Sequence, residues 1–313
     1  MYLGLDIGTS AVKAVLVDDS QTVIDQATAT LSVSRPKPLW SEQDPKDWWR
    51  ATNQAVLKLD RRFRSSVKAI CLSGQMHRAT CLDFNDQVIR PAILWNDGRS
   101  YSNCQAMMDQ MPLLKNITGN LAMPGFTAPK LHWMRENETE NFKRVAKVLL
   151  PKDYVRFLMS GDYASDKSDS AGTLWLDVAK RDWSDEVLKL TGLTRSHMPN
   201  LFEGSEATGV LTSRVADDWG MSQVPIAAGG GDNAAGAVGV GVIKSGDGFL
   251  SLGTSGVIFL ADNQYRPNTG GAVHTFCHAL PNMWHQMSVI LSAASAVDFV
   301  ARITGFESET TLY

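Results

Sequence analysis

The stretch MYLGLDIGTSAVKAVLVDDSQTVIDQATATLSV, residues 1–33, decides the fold. Residues 2–7 predict a strand, Gly8, Thr9 and Ser10 turn it, and residues 11–18 predict a second strand. Residues 21–33 predict a third, after the turn DDSQ. Strand follows strand with no helix between, so the chain opens on a β-meander. One echo lies far downstream. LDIGTSAVKAVLVD (5–18) and LSLGTSGVIFLAD (250–262) both read strand, Gly-Thr-Ser, strand. Two such hairpins, about one domain apart, predict two related halves that face each other.

Composition narrows what such a fold can be. The chain has 313 residues, enough for two ordinary domains. It is 44% apolar and 20% charged, as soluble globular proteins are. A net charge of −3 offers no footprint for nucleic acid or anionic lipid. Cys71, Cys81, Cys104 and Cys277 show no CxxC spacing and read as reduced thiols of a cytoplasmic protein. The first ten residues lack the basic region of a signal peptide. Residues 225–243 are the most apolar window, but Asp232 and Asn233 interrupt them, which argues against a membrane span.

Between the two hairpins the pattern changes. Residues 40–63 carry a helix start: Asp44 to cap, Pro45 first inside, then Trp48, Thr52, Ala55 and Leu59 at helical spacing. Residues 67–74 predict a buried strand and residues 80–95 a hairpin around NDQ. A helical region is expected from there to about residue 170, broken at 123–129. Residues 224–243 predict a strand, a glycine turn and a helix of small residues. Residues 288–305 predict an amphipathic helix closed by Gly305.

Chemistry is sparse and therefore easy to place. A Gly-Thr-Ser turn offers close backbone approach, hydroxyls and amides, which suit phosphate oxygens. Asp6, just before the first turn, could hold hydrated Mg²⁺, and Lys13 adds positive charge. Taken singly, either turn is also an ordinary hairpin. No GxxxxGK[ST] occurs, which removes the P-loop. Gly229, Gly231 and Ala234 make a loose GxGxxA, but Asp247 follows too closely for a dinucleotide site. In AAGGGDNAAGAVGVG (227–241), Asp232 reads either as a helix N-cap or as a carboxylate that accepts a proton from a bound hydroxyl. The two roles are compatible. Gln75, Met76 and His77 lie just past a strand end, where ligand contacts gather. Asp97 and Arg99 read as a surface ion pair or as site residues. His274 and His278 have i, i+4 spacing near Cys277 and His285, but no metal motif accompanies them.

Together, DIGTSAVK, WSEQDPKDWW, GQMH, ILWNDGR, GFTAPKL, LLPKDYVRFLMSGDYASDKSDSAGT, GGGDNAAGAVG and SLGTSG resemble the FGGY carbohydrate kinases over nearly the whole chain. GQMH and the LPKDY…SDSAGT block point to members that phosphorylate xylulose rather than glycerol. The resemblance implies an α/β, ribonuclease H-like fold of the actin/hexokinase type, two lobes around a cleft. Residues 1–243 would form the N-terminal sugar-binding domain and 244–313 the start of an incomplete nucleotide-binding domain. It further implies transfer of phosphate from ATP, with Mg²⁺, to the 5-hydroxyl of D-xylulose, and it admits a homodimer. Asp232 matches the catalytic base, Met76 and His77 the sugar-contacting pair, with Asn233 beside the base. Asp6, Gly8, Thr9, Ser10 and Lys13 match the first phosphate motif; Gly253, Thr254 and Ser255 match the second.

Three departures stand out. Arg78 follows GQMH where the family usually has Gly, and would either alter sugar choice or point to solvent. Ala11 replaces a Gly after the first turn. The family's later adenosine-holding motif is absent, so the sugar side is expected intact, the ATP side crippled and apolar surface exposed. Transfer to another polyol or sugar acid, and sugar binding without catalysis, remain alternatives.

Overall fold

The computed structural model describes residues 1–253 and 255–305. β1 (Tyr2–Ile7), β2 (Ala11–Val17) and β3 (Val23–Thr30) form the expected antiparallel meander. α1 (Pro45–Lys58) follows; Asp44 caps it by accepting from Lys46 N, with Pro45 as its first residue. Its apolar stripe, Trp48, Ala51, Ala55 and Val56, is buried in one core with Leu3, Leu5, Ile7, Val12, Ala14 and Leu16. At roughly 25 cal/mol per Å² of apolar surface, this seam contributes much of the driving force of the first half.

β4 (Ala69–Gly74) lies parallel to β1. It is not buried on both faces as its composition predicts. Ile70, Leu72 and Gly74 are buried, whereas Cys71 is exposed. Further along the chain lie α2 (Pro151–Ser160), α3 (Lys167–Ala171), β5 (Ala207–Val210), β6 (Pro225–Ala227) and β7 (Gly230–Gly231). The sheet order is β5-β6-β4-β1-β2-β3, with β7 also beside β4. α4 (Asp232–Gly239) leaves directly from β7. The sheet face opposite α1 carries Gly4, Asp6, Lys13, Val15, Cys71 and Ser73. They line an open hollow of about 800 Å³ that α4 bounds through Ala235 and Val238.

A second, antiparallel sheet contains β8 (Gly248–Leu252), β9 (Gly256–Asp262), β10 (His274–Cys277) and β11 (Trp284–Ile290), in the order β8-β9-β11-β10. Phe276 and Met287 bury one face of it against Phe126, Leu131 and Trp175. Its other face leaves Leu250, Leu252, Ile258 and Ile290 exposed. α5 (Ala294–Thr304) ends on Gly305 in the left-handed region. Phe299 and Ile303 of that helix are exposed too, so the apolar surface expected from the sequence is present.

Several local expectations need correction. Strands Lys147–Leu149 and Ala164–Asp166 interrupt the region read as helical. Three residues are too few to establish a period of two, so neither announces itself. Thr80–Leu82 pairs with Lys147–Leu149, and the hairpin expected over residues 80–95 is reduced to a single bridge, Leu82 to Val88. Residues 288–290 complete β11, and the final helix begins only at Ala294. His274 lies on a strand, so the helical spacing with His278 does not exist.

Candidate active site

Register builds the site. Lys13 pairs with Asp6, Asp6 with Ser73, and Ser73 with Gly230, so these residues form one row across β2, β1, β4 and β7. The next row holds Val12, Ile7, Gly74 and Gly231. β1, β4 and β7 are parallel and end together, and Asp232 is the residue that steps off the last of them. Clefts at the carboxyl ends of parallel strands are where α/β folds place ligands.

The glycines explain how Asp232 gets there. Gly229 has φ +81°, and a Cβ on it would lie 1.8 Å from the Leu72 carbonyl oxygen. Only a glycine lets the backbone run that close to β4. A Cβ on Gly231 would lie 3.1 Å from Met76 Cγ and Sδ, so that glycine makes room for Met76. The N-cap of α4 is Gly231, and Asp232 is the first helical residue. The capping role is therefore not the one Asp232 plays. Its Oδ1 accepts from Asn233 N at 2.7 Å and from Asn233 Nδ2 at 2.9 Å.

Asp232 opens to solvent on one side and is crowded by protein on the others. That crowding pushes its pKa up to about 6, the Asn233 amide and the Arg78 charge pull against it, and the charge of Asp6 adds to it. Near pH 7 it is mainly a carboxylate, yet a far better proton acceptor than an ordinary aspartate.

The first hairpin lies alongside. Gly8 N donates to Ala11 O at 3.0 Å, and Ala11 sits without strain at the start of β2. Asp6 Oδ1 accepts from Ser73 Oγ at 2.9 Å. Gln43 Nε2 donates to the Thr9 carbonyl at 2.7 Å, and Thr9 Oγ1 accepts from Arg78 Nη2 at 2.8 Å. Ser10 is exposed, with its carbonyl accepting from Leu31 N at 2.8 Å.

Met76 is buried, whereas His77 is partly open and has φ +72°. A left-handed histidine is a strained residue held in place by its surroundings. His77 Nδ1 lies 2.5 Å from Gly172 O, its own carbonyl accepts from Lys130 Nζ at 2.8 Å, and its ring meets Phe126 edge-on. Burial pushes its pKa down to about 3. The ring is neutral at physiological pH. Because a carbonyl only accepts, the proton sits on Nδ1 and Nε2 is left as an acceptor.

Behind this wall stands a buried ionic frame that sequence reading did not assign. Lys152 Nζ lies 2.5 Å from Asp153, 2.7 Å from Asp166 and 3.4 Å from Asp169. Asp166 accepts from Ser168 Oγ, which in turn accepts from Gly231 N at 3.1 Å. Arg156 Nη2 donates to the Ala228 carbonyl at 2.5 Å. Both ends of the glycine turn are thus tied to one frame. The LPKDY…SDSAGT block carries those residues, but only contacts distant in sequence reveal their task.

Asp97 and Arg99 are not a surface pair. Both side chains are almost wholly buried, and the guanidinium lies 3.6 Å from the Trp40 ring centroid. Nor does Arg78 point to solvent: it has no exposed surface. Among the described residues, no group of three or more histidine, cysteine or acidic side chains is placed to hold a metal ion. Gly253 and Ser255 hydrogen-bond within their own hairpin, and Ala294 N donates to Gly253 O at 2.9 Å. Thr254 lies outside the described residues.

Residues 1–239 match the FGGY family of carbohydrate kinases, N-terminal domain. The chain belongs to that family. Its whole length is 55% identical to 65% of the xylulose kinase of Escherichia coli (strain K12). The crystal structure of a xyloylose kinase from Brucella ovis superimposes with a TM-score of 0.94 at 52% identity, covering 99% of this chain and 65% of that one. A gluconate kinase from Lactobacillus acidophilus, 22% identical, superimposes with a TM-score of 0.93 over 98% of this chain and 63% of that one, and so shares the fold. This FGGY-family chain therefore has the actin/hexokinase-like ATPase architecture, and it spans about 65% of the length of the curated relatives it matches.

Proposed function

We propose that this chain carries the sugar-binding and catalytic part of a kinase that transfers the terminal phosphoryl group of ATP to the 5-hydroxyl of D-xylulose. The observation that carries the reading is the position of Asp232. A carboxylate with pKa raised to about 6 stands at the carboxyl ends of three parallel strands, beside the Asp6–Ser10 hairpin. The likeness to xylulose kinases supports the choice of sugar.

In this reading Asp232 takes the hydroxyl proton while the sugar oxygen bonds to phosphorus and the bond to the ADP oxygen breaks. Met76, His77 and Asn233 contact the sugar, with His77 Nε2 accepting from a hydroxyl. Gly8, Thr9, Ser10 and Lys13 contact the phosphates, and Gly253, Thr254 and Ser255 contact them from the other lobe. The Mg²⁺ that arrives with ATP suits Asp6. Ser73 engages Oδ1, while Oδ2 faces the turn, 3.8 Å from where a Cβ on Gly8 would be. Magnesium prefers such a carboxylate plus waters and phosphate. Residues 1–243 and 244–313 then serve as the two walls of the cleft.

The test is ADP release from MgATP with D-xylulose, gluconate and glycerol as acceptors. D-xylulose is expected to be turned over in preference to gluconate and glycerol, at the low rate that a crippled ATP side allows. Asp232→Ala should lower it by about 10²–10⁴-fold, the usual share of a general base, while xylulose still binds. Equal turnover in the variant removes Asp232 as the base, and preference for another acceptor removes xylulose.

A further inference from the structure

We propose that Arg78 is an anion-binding residue of the cleft, its guanidinium holding a phosphoryl oxygen between Thr9 and Asp232. The side chain is fully buried. Nη2 donates to Thr9 Oγ1 at 2.8 Å, while Nε and Nη1 have no hydrogen-bond partner among the described residues. A buried charge with unmet donors is costly, and such a group is kept where something else completes it.

The chemistry of that missing partner follows from the donors. A guanidinium is planar, and the second proton of Nη2 pairs with Nε or with Nη1 to face two oxygens of a tetrahedral oxyanion; the group keeps its proton at any physiological pH. Thr9 Oγ1 also lies 3.4 Å from Trp95 Nε1, so two donors face the hydroxyl oxygen and its own proton is left for an acceptor. Arg78 and Thr9 thus present several donors and no free acceptor. A sugar hydroxyl, which both donates and accepts, suits them poorly; a phosphate suits them well. Burial holds the Arg78 pKa well below its ordinary value, and the nearby carboxylates of Asp232 and Asp169 only partly offset this. Neither carboxylate hydrogen-bonds it, so they hold the cation in the cleft without filling its fork.

The inference rests on the proposed transfer reaction for the identity of the anion's carrier, and the test separates the two. Binding of inorganic phosphate and of D-xylulose to the whole chain is measured by calorimetry for the native protein, Arg78→Gly, Arg78→Gln and Arg78→Lys. Circular dichroism checks each fold, and if Arg78→Gly does not fold, Arg78→Gln takes its place. The native chain is expected to bind phosphate saturably. Loss of the fork should weaken it by about 10–100-fold, the range of a hydrogen bond to a charged group, with Arg78→Lys recovering part and xylulose affinity retained. Phosphate binding that is absent from the native chain, or equal in all four proteins, overturns the proposal. So does a change confined to xylulose. Arg78-dependent phosphate binding in a chain that never binds xylulose keeps the anion site and removes the kinase reading.

Discussion

Gln43 Nε2 donates to the Thr9 carbonyl at 2.7 Å, and Gln43 Oε1 accepts from Trp48 Nε1 at 3.1 Å. One buried amide therefore joins the first hairpin turn to the first helix. Gln43→Leu fills the same space but strands the indole N–H and the carbonyls of Thr9 and of Ser32, to which Nε2 also donates at 3.1 Å. A loss of about 2–3 kcal/mol is expected in urea unfolding, since buried polar groups left unpaired cost about 1–3 kcal/mol each. A change no larger than that of a surface substitution would show that the amide does not hold the turn.

Asp232 titrates higher in the folded chain, about 6, than its ordinary value of 3.8. The native state therefore binds this proton more tightly than the unfolded state does. The stability it brings is fully present below about pH 4 and is lost as pH rises through about 6. Asp232→Asn has no such proton. Relative to the native chain it should gain stability between pH 4 and 6 and hold that gain above pH 7. Urea midpoints across this range read the difference, and a flat difference contradicts the raised pKa. On kcat/KM the same group should give a rise through about pH 6 to a plateau.

Lys152 is fully buried among Asp153, Asp166 and Asp169. Burial by itself lowers its pKa, but the three carboxylates more than reverse this and keep it charged. Lys152→Met leaves uncompensated carboxylates in the interior. Breaking a buried pair in this way costs about 3–5 kcal/mol, so the variant should unfold far earlier in denaturant. Native-like stability in Lys152→Met would mean that the frame is held by packing instead.

Gly229 cannot carry a side chain. Its φ of +81° and the 1.8 Å approach to the Leu72 carbonyl require β6 and β7 to move for any Cβ. Gly229→Ala should cost about 3 kcal/mol or more, combining left-handed strain with a backbone clash. Gly239→Ala has open space around it and should cost little. Similar thermal midpoints for the two variants would contradict the account of how Asp232 reaches the cleft.

The parts legible in the sequence were local ones. Alternating side chains mark β1 to β3, Asp44 and Pro45 mark the start of α1, and glycine runs mark the turn before Asp232. The sheet edges were not legible. Strands of three residues, such as Ala164–Asp166, carry too little pattern to be separated from helix. The Met76–His77 pair was visible as a motif, yet the left-handed His77 and its tautomer depend on Gly172 and Lys130.

By itself the sequence determined which segments alternate, where they turn and which side chains can do chemistry, because those properties reside in neighbouring residues. Tertiary structure alone decided that Arg78 and Arg99 are buried, that Asp232 follows the cap instead of being it, and that Lys152 stands behind the glycine turn. Burial and charge pairing are set by atoms from remote parts of the chain, and no local pattern encodes which of them will meet.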